Sequence, residues 1–323
     1  MKAMVRDTYR PPDGLELKEI DKPVVGDDDV LVRVQAAGVD QGVWHLVTGL
    51  PYLLRIAGFG LRRPKNRVPG LDVAGRVEAV GRNVIRFQAG DEVFGTCEGS
   101  YAEYARARQD KLAPKPANVT FEQAAAVPTS AFAALQGLRR AAKVQAGQKV
   151  LVIGAGGGVG TFAVQLAKAF GADVTGVCST KKTDLVRSIG ADDVIDYTRE
   201  DFADLPRRYD LILDIAGGRS LSHLRRALDP RGTLVIVGSE RGGRWAQGVD
   251  RALRAAMLSP FVSQKLRMLV STENEEDLQL LGKLIEGGKI TPVVDRTFSL
   301  SEVPEAIEYL RGGHACGKVV ITV

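Results

Sequence analysis

A glycine-rich turn between an apolar segment and a predicted helix constrains this sequence more than any other feature. Five of the seven residues from Gly154 to Gly160 are glycine, and they directly follow the apolar run Val150 to Ile153. Glycine lets the backbone turn tightly against a bound group, and a helix N-terminus presents free N–H groups to an anion. Between a strand and a helix, this pattern predicts a dinucleotide pyrophosphate site rather than a purely structural turn. The predicted contacts are Gly154, Gly157, Gly158, Val159 and Gly160.

Apolar segments alternate with helical ones from this turn onward. Strands are predicted over residues 149–153, 174–177, 193–195, 211–213 and 233–237. Helices are predicted over residues 159–170 and 185–189, where apolar side chains repeat with helical spacing. Buried strands that alternate with helices predict an α/β fold with a parallel, doubly wound sheet, as in a Rossmann domain.

The part of the chain before residue 121 has a different, β-rich texture. Short strands are predicted over residues 30–36, 75–80 and 91–94, with glycine and proline between them. Helical character begins at Phe121. The last segment, Lys318 to Val323, again has the composition of a strand, and we expect it to return to the first domain.

The end of the second predicted strand indicates which dinucleotide is bound. NAD sites usually carry Asp or Glu about 20 residues after the glycine turn, where the carboxylate accepts from the ribose 2′-hydroxyl. Here the residues from Cys178 to Lys182 offer hydroxyl and ammonium groups and no carboxylate. This favours NADPH, which has a negatively charged 2′-phosphate. The competing interpretation, that Lys181 and Lys182 only solvate a helix start, leaves the missing carboxylate unexplained.

Charge and cysteine content exclude several classes of protein. The formal net charge is +5, but basic and acidic residues are interspersed along the chain, so no nucleic-acid groove is predicted. The three cysteines are far apart in sequence, which is typical of a reducing compartment. Arg6 and Asp7 stand where a signal peptide would need its apolar core, and the uncharged run from residue 150 to 167 contains the glycine turn. We therefore expect a cytoplasmic protein with no membrane span.

Further motifs are spread over nearly the whole chain. They are Val68–Gly75 (VPGLDVAG), Gly90–Gly95 (GDEVFG), Ala125–Thr129 (AAVPT), Asp193–Tyr197 (DVIDY) and Gly313–Lys318 (GHACGK). Together with the glycine turn they resemble the medium-chain dehydrogenase/reductase superfamily, in particular its zinc-independent, quinone oxidoreductase-like branch. The resemblance implies a GroES-like catalytic domain over residues 1–121, completed by residues 290–323. It also implies a Rossmann domain that binds NADP(H) over residues 122–289.

The same resemblance implies contacts to the cofactor beyond the glycines. Around the adenosine 2′-phosphate it places Ser179, Thr180, Lys182 and Tyr197. On the nicotinamide side it places Gly238, Phe261, Val262 and Ser263. Other positions that match the family's cofactor site are Tyr52, Thr129 and Lys318. Homodimers joined by the edges of their Rossmann sheets are common among such relatives, so a homodimer is expected.

Zinc chemistry is not expected from the ligand types available. Zinc alcohol dehydrogenases of this family use Cys and His at the catalytic site, and the matching residues here are Asp40 and Leu71. A structural zinc lobe needs four closely spaced cysteines after Gly95, and Cys97 is the one cysteine in that stretch. The three histidines stand far apart. None of the tyrosines begins a Tyr-x-x-x-Lys pair. Because nothing obvious activates an alcohol, a conjugated acceptor is the more suitable substrate.

The sequence thus predicts an NADPH-dependent oxidoreductase that delivers hydride to a quinone or an α,β-unsaturated carbonyl compound, without metal. Tyr52 is the candidate hydrogen-bond donor to the developing oxyanion, or a packing aromatic. Asp40 either orients water or caps a helix that begins near Gly42. The basic loop from Leu61 to Arg67 is solvated, or it meets an anionic substrate tail. Two alternatives remain open: an enoyl-thioester reductase and a catalytically idle NADPH-binding protein.

Overall fold

The computed structural model describes residues 1–56, 60–238 and 249–323, and for residues 54, 249, 250 and 252 only the backbone is described. The strands are β1 Lys2–Val5, β2 Glu16–Glu19, β3 Asp29–Val39, β4 Asp72–Val80, β5 Glu92–Thr96, β6 Tyr104–Arg108, β7 Leu112–Pro114, β8 Lys149–Ile153, β9 Asp173–Cys178, β10 Asp193–Asp196, β11 Tyr209–Asp214, β12 Leu228–Ile236, β13 Lys265–Met268, β14 Val294–Ser299 and β15 Lys318–Thr322.

The α-helices are α1 Gln41–Thr48, α2 Tyr52–Leu54, α3 Phe121–Ala125, α4 Pro128–Gln136, α5 Gly158–Ala169, α6 Thr183–Ser188, α7 Leu221–Ala227, α8 Val249–Leu258, α9 Glu275–Glu286 and α10 Val303–Arg311. A π-helical turn, Gly137–Ala142, continues α4. Short 3₁₀ turns cover Pro12–Gly14, Gln109–Lys111, Thr180–Lys182, Ser259–Phe261 and Leu300–Glu302. In the described part of the chain, none of these helices is long and apolar enough to cross a membrane.

The chain divides into two compact units. The first contains residues 1–132, 273–288 and 292–323, and the second contains residues 133–272 and 289–291. The first unit is therefore larger than the predicted catalytic domain of residues 1–121 and 290–323. The additional residues are mainly helical: α3 packs on β3 and β4, α9 packs on β7, and the first residues of α4 also belong to this unit. The change to helical texture at Phe121 marks a change of secondary structure within one core.

The second unit is built on a parallel sheet with the strand order β10-β9-β8-β11-β12-β13. Each neighbouring pair in this sheet is parallel. Its strands are strongly apolar, and β8 buries every residue after Lys149. Because a continuous apolar strand is typical of a sheet covered on both faces, the sequence predicted this fold class, and the structure confirms it. β13 is an edge strand that the sequence analysis did not predict.

The first unit contains a mostly antiparallel sheet in the order β14-β15-β3-β4-β5-β7, with β6 also paired to β3. The last strand, β15, lies antiparallel to β3, which confirms that the end of the chain returns to this unit. Register matters here: Val319 pairs with Val39, and Ala37 pairs with Val73 on the other side. These two pairings bring the start of β15, the start of β4 and the end of β3 to one place.

Candidate functional site

The glycine turn of the second unit joins β8 to α5. The backbone N–H groups of Gly154 and Ala155 both donate to the carbonyl oxygen of Val177, each at 3.0 Å, which ties the turn to the next strand. Gly154 has a φ of +92°, a left-handed conformation that favours glycine. A Cβ on Gly160 would overlap the carbonyl oxygen of Gly154, so the helix can pass this close to the turn only with glycine there.

The N-terminus of α5 is open to a bound anion. Gly157 is the residue before its first turn, and no side chain caps it. The first N–H groups of a helix have no partner within the helix, and the helix dipole places positive charge at this end. The turn therefore has room and donors for a pyrophosphate, which fits the predicted roles of Gly157, Gly158 and Val159.

Lys182 lies against this turn. A Cβ built on Gly156 would stand 2.8 Å from both Cβ and Cδ of Lys182. The lysine belongs to the 3₁₀ turn that follows Ser179, and its backbone N–H donates to the Ser179 carbonyl oxygen at 2.9 Å. Lys182, one of the residues predicted to surround the 2′-phosphate, thus stands beside the glycine turn.

Asp196, at the end of β10, is a candidate site residue that the sequence analysis did not name. Its Oδ2 accepts from the Thr180 hydroxyl at 2.5 Å, and its Oδ1 accepts from the Thr198 hydroxyl at 2.7 Å and from the Thr198 N–H at 3.0 Å. The hydrogen bond from Thr180 is the main cause that lowers the pKa of Asp196. The Thr180 hydroxyl therefore donates to the Asp196 carboxylate. Its predicted role would require it to donate to the 2′-phosphate instead.

A cation and an aromatic side chain flank this carboxylate. Arg199 Nε lies 3.6 Å from Asp196 Oδ2, and its own side chain is largely exposed. Tyr197 is 51% exposed, and its backbone N–H donates to Cys178. The Asp-x-Thr spacing, in which an Asp accepts from the backbone two residues on, is a signal that could have identified the Asp196 turn.

The residues predicted for the nicotinamide side occupy two places in the second unit. Asp214 pairs with Ile153 and with Ile236, so the ends of β8, β11 and β12 share one edge. Gly238 follows β12 at this edge, where a Cβ would stand 2.7 Å from the carbonyl oxygen of Ile215. In the other segment, Phe261 is 84% exposed and Val262 packs on the core, and Ser263 follows them.

A buried ion pair stands at the same edge of the sheet. Asp214 is fully buried, accepts from the Gly217 N–H at 3.1 Å and forms an ion pair with Arg251 of α8. Burial lowers the pKa of Arg251.

The first unit carries a buried polar cluster, which we define as Asp40, Asp72, Thr129 and Lys318. Asp72 Oδ1 accepts from the Thr129 hydroxyl at 2.5 Å and from its backbone N–H at 3.0 Å. Asp72 Oδ2 lies 3.5 Å from Lys318 Nζ, and both side chains are almost fully buried. Thr129 and Lys318 were predicted from the resemblance, whereas Asp72 was not predicted as a site residue.

Electrostatics in this cluster is dominated by burial. Burial raises the pKa of Asp72 to about 7, opposed by Lys318 and reinforced by the negative charge of Asp40. Asp40 caps α1, which begins at Gln41: its Oδ1 accepts from the Val43 N–H at 3.2 Å. Its Oδ2 is buried and has no hydrogen-bond partner among the described residues. One carboxylate oxygen of Asp40 therefore caps α1, which was one of the two predicted roles, and the other oxygen is buried.

Tyr52 begins α2, four residues after α1 ends. The Arg55 guanidinium lies 4.8 Å from the centre of the Tyr52 ring. Arg55 also donates to two carbonyl oxygens at the end of α1, from Nε to Gly49 at 2.8 Å and from Nη2 to Thr48 at 3.2 Å. The tyrosine ring is therefore stacked on a cation that the preceding helix holds in place.

Histidine, cysteine and carboxylate groups are dispersed in the described residues, and no three of them are placed to hold a metal ion. Burial is the main cause that raises the pKa of the Cys97 thiol, so this cysteine is not a ready thiolate ligand.

Two family models match the chain. The alcohol dehydrogenase GroES-like domain matches residues 26–117, and the zinc-binding dehydrogenase family matches residues 189–321. An NADPH-dependent alkenal/one oxidoreductase of Arabidopsis thaliana chloroplasts is 36% identical over 99% of this chain and 79% of its own length. A 2-methylene-furan-3-one reductase of Solanum lycopersicum is 34% identical over the same shares.

Among solved structures, the quinone oxidoreductase of Coxiella burnetii superposes with a TM-score of 0.86 at 30% sequence identity, covering 100% of this chain and 99% of that one. The matches extend over both units, and the structural superposition agrees with the fold described above. The chain therefore belongs to the medium-chain dehydrogenase/reductase superfamily of oxidoreductases, in its quinone oxidoreductase-like branch.

Proposed function

We propose that this protein transfers hydride from NADPH to a quinone or an α,β-unsaturated carbonyl compound, and that it does so without zinc. The observation that carries the proposal is the open N-terminus of α5 behind a turn that requires glycine at Gly154 and Gly160, with Lys182 lying against it. Relatives named for alkenals, furanones and quinones support the choice of acceptor.

NADPH, when bound, supplies the hydride, and the chain supplies position and charge. The N–H groups at the start of α5 bind the pyrophosphate, and Lys182 and Ser179 are the residues offered to the 2′-phosphate. The Thr180 hydroxyl donates to Asp196, whose carboxylate also places negative charge near the phosphate site. Attraction of the 2′-phosphate therefore depends on the positive charges of Lys182 and Arg199. This makes the lysine, and not the hydroxyls, the main determinant of NADPH preference.

On the acceptor side, hydride adds to the β-carbon of the enone or to the quinone ring, and negative charge develops on oxygen. The Tyr52 hydroxyl donates a hydrogen bond to that oxygen, and the stacked Arg55 adds positive charge beside it. A proton from water then completes the saturated carbonyl compound or the hydroquinone. The balance is one NADPH and one proton consumed for each acceptor reduced.

Zinc independence follows from the donor types. Asp40 uses one oxygen to cap α1, and Leu71 has no ligating atom. Zinc sites of this type use thiolate and imidazole ligands. Elemental analysis should find less than one tenth of a zinc ion per chain, and activity should survive a chelator. A stoichiometric zinc ion lost together with activity would contradict this part of the proposal.

The central test is oxidation of NADPH with 1,4-naphthoquinone and with a series of (E)-2-alkenals. Turnover with at least one class is expected, and tight NADPH binding without turnover across the panel would select the idle-binder alternative. The Tyr52→Phe variant keeps the ring on Arg55 and removes only the hydroxyl. We expect kcat for alkenals to fall about tenfold, the weight of one hydrogen bond to a developing charge, with NADPH affinity retained. An unchanged kcat would remove Tyr52 from the mechanism.

A homodimer is the proposed assembly. β13 ends the strand order of the parallel sheet, and Met268 and Val270 beside it are 50% and 69% exposed. An open strand edge with apolar side chains readily pairs with another edge. Light scattering should give twice the chain mass of 34.7 kDa, and a monomer mass at micromolar concentration would exclude it.

A further inference from the structure

Arg6, directly after β1, is a buried cation with no counterion among the residues that the structure describes. Its side chain belongs to a residue that is 5% exposed, and its Nε and Nη1 are buried and have no hydrogen-bond partner in the described chain. Its Nη2 makes one long hydrogen bond, 3.5 Å, to the carbonyl oxygen of Asn66. The neighbouring carboxylate of Asp7 pairs instead with Arg67 at 2.6 Å and lies 3.9 Å from Lys18.

A second guanidinium contacts the same aromatic ring as the first. Arg55 lies 4.3 Å from the centre of the Tyr9 ring, and Arg6 lies 5.7 Å from the same centre. The Tyr9 hydroxyl is used to bind the carbonyl oxygen of Gly60 at 2.8 Å. Two cations thus meet one ring, and we refer to Arg6, Tyr9 and Arg55 as the two-arginine site.

Such a cluster is unfavourable unless something neutralises it. Burial lowers the pKa of Arg6 to about 10, and no carboxylate contributes to raise it. Removing a guanidinium from water is unfavourable unless charge and hydrogen bonds replace the water. Unused guanidinium N–H groups in a fixed fork match the oxygens of a carboxylate or a phosphate.

The surroundings of the two-arginine site favour an anion that comes from solvent. The basic loop from Leu61 to Arg67 lies beside this site. Gly60, directly before the loop, accepts from Tyr9, and Asn66, within it, accepts from Arg6. Within that loop Arg62, Arg63 and Lys65 are exposed, and their charges attract anions toward this face.

We propose that the two-arginine site binds the carboxylate or phosphate group of an acidic substrate tail. This inference rests on the proposed function, because its link to the substrate is Arg55, which stacks on Tyr52 as well as on Tyr9. With Tyr52 at the reacting oxygen, Arg55 connects that end of the substrate to the two-arginine site. The preferred acceptors are therefore enones or quinones that carry an acid at the end of a medium-length chain.

The first experiment measures anion binding without turnover. Thermal unfolding is followed in sodium phosphate and in sodium chloride at equal ionic strength, with saturating NADP⁺ so that phosphate does not compete at the glycine turn. Phosphate should raise the Tm of the natural protein. Arg6→Met should have a higher Tm than the natural protein in chloride, because an unpaired buried charge is gone, and it should lose the response to phosphate.

Arg10→Met is the matched control, since it removes the same charge from an exposed position four residues along. It should keep the phosphate response. Arg6→Lys, which retains the charge but not the fork, should need several-fold more phosphate for the same shift and guards against misfolding of Arg6→Met. An Arg6→Met protein that responds to phosphate as Arg10→Met does would overturn the anion site.

The second experiment assigns the ligand. NADPH oxidation is measured with (E)-9-oxonon-7-enoate and with its methyl ester, which differ only in the charge at the tail. The ratio of kcat/KM for acid over ester should be about tenfold in the natural protein and in Arg10→Met, and close to one in Arg6→Met. A ratio of one in the natural protein would overturn the substrate assignment. If neither compound is reduced, the proposed function fails, and the phosphate experiment still decides the anion site.

Discussion

The glycine turn of the second unit and the polar cluster of the first show two ways to build a site from one chain. The turn uses backbone N–H groups and the absence of side chains, and its residues from Gly154 to Gly160 are consecutive. The cluster uses charged side chains that come from distant segments, with Asp72 and Lys318 separated by 246 positions. A backbone site depends on local conformation, whereas a buried ionic site depends on each partner being present. Substitutions should therefore affect the two regions in different ways.

The largest expected effect is at Gly160, where the backbone site depends on the absence of a Cβ. Gly160→Ala should lower the free energy of unfolding by about 4 kcal/mol, because the added methyl overlaps the Gly154 carbonyl. Gly157→Ala is the control from the same turn. Its Cβ would stand at an ordinary 3.5 Å from that oxygen, so unfolding should change little while NADPH affinity falls. Urea titrations and cofactor titrations measure the two quantities, and equal stability losses would contradict the comparison.

The second-largest effect is expected in the polar cluster, when a substitution removes one member of its ion pair. Lys318→Met leaves the Asp72 carboxylate buried without its cation and should cost about 3 kcal/mol of unfolding free energy at pH 8. Adding Asp72→Asn should recover most of that loss, because the amide needs no counterion and still accepts from Thr129. A double variant as unstable as Lys318→Met alone would show that the lysine acts by packing. NADPH affinity of the same variants tests whether Lys318 also contacts the cofactor, as the sequence predicted.

This contrast also explains which parts the sequence predicted. β8, β9 and α5 were predicted because strand and helix periodicity and glycine are local signals. β13 and β14 are rich in polar and charged residues, so their pairing depends on the finished sheets. Asp72 was missed as a candidate site residue because its partner Lys318 becomes a neighbour only after folding. Asp196 has a local Asp-x-Thr signal, but its contact with Thr180 also forms only in the folded chain.

The pH dependence of stability tests the cause of the Asp72 shift. An aspartate in the unfolded chain titrates near 3.9, whereas burial raises the pKa of Asp72 in the folded protein to about 7. The folded state then holds a proton that the unfolded state has lost, so this contribution is full below about pH 4 and disappears as pH rises to about 7. The natural protein should lose about 3 kcal/mol more than Asp72→Asn over that interval. The opposite slope would mean that attraction to Lys318 outweighs burial.

The 2′-phosphate end of the backbone site should show a moderate and cofactor-specific effect. Lys182→Ala should weaken NADPH binding about tenfold, the weight of one charge-assisted contact, and change NADH binding by less than twofold. The exposed Lys181 provides the control, because it carries the same charge one residue earlier. Isothermal titration with both dinucleotides measures the difference. Equal losses for NADPH and NADH would show that Lys182 supports the turn and does not contact the phosphate.

The smallest expected effect has the opposite sign and comes from Asp196. Its carboxylate accepts hydrogen bonds from Thr180 and Thr198, and it places negative charge beside the residues offered to the 2′-phosphate. Asp196→Asn removes that charge while the amide oxygen still accepts from one of the two threonines. NADPH affinity should therefore rise two- to threefold. The gain is small because the repulsion between the Asp196 carboxylate and the 2′-phosphate is partly screened by solvent and by Arg199. NADH affinity should stay constant or fall. If NADPH binding weakens instead, the Thr180 conformation held by this carboxylate matters more than its charge, and the backbone site depends on a buried partner much as the polar cluster does.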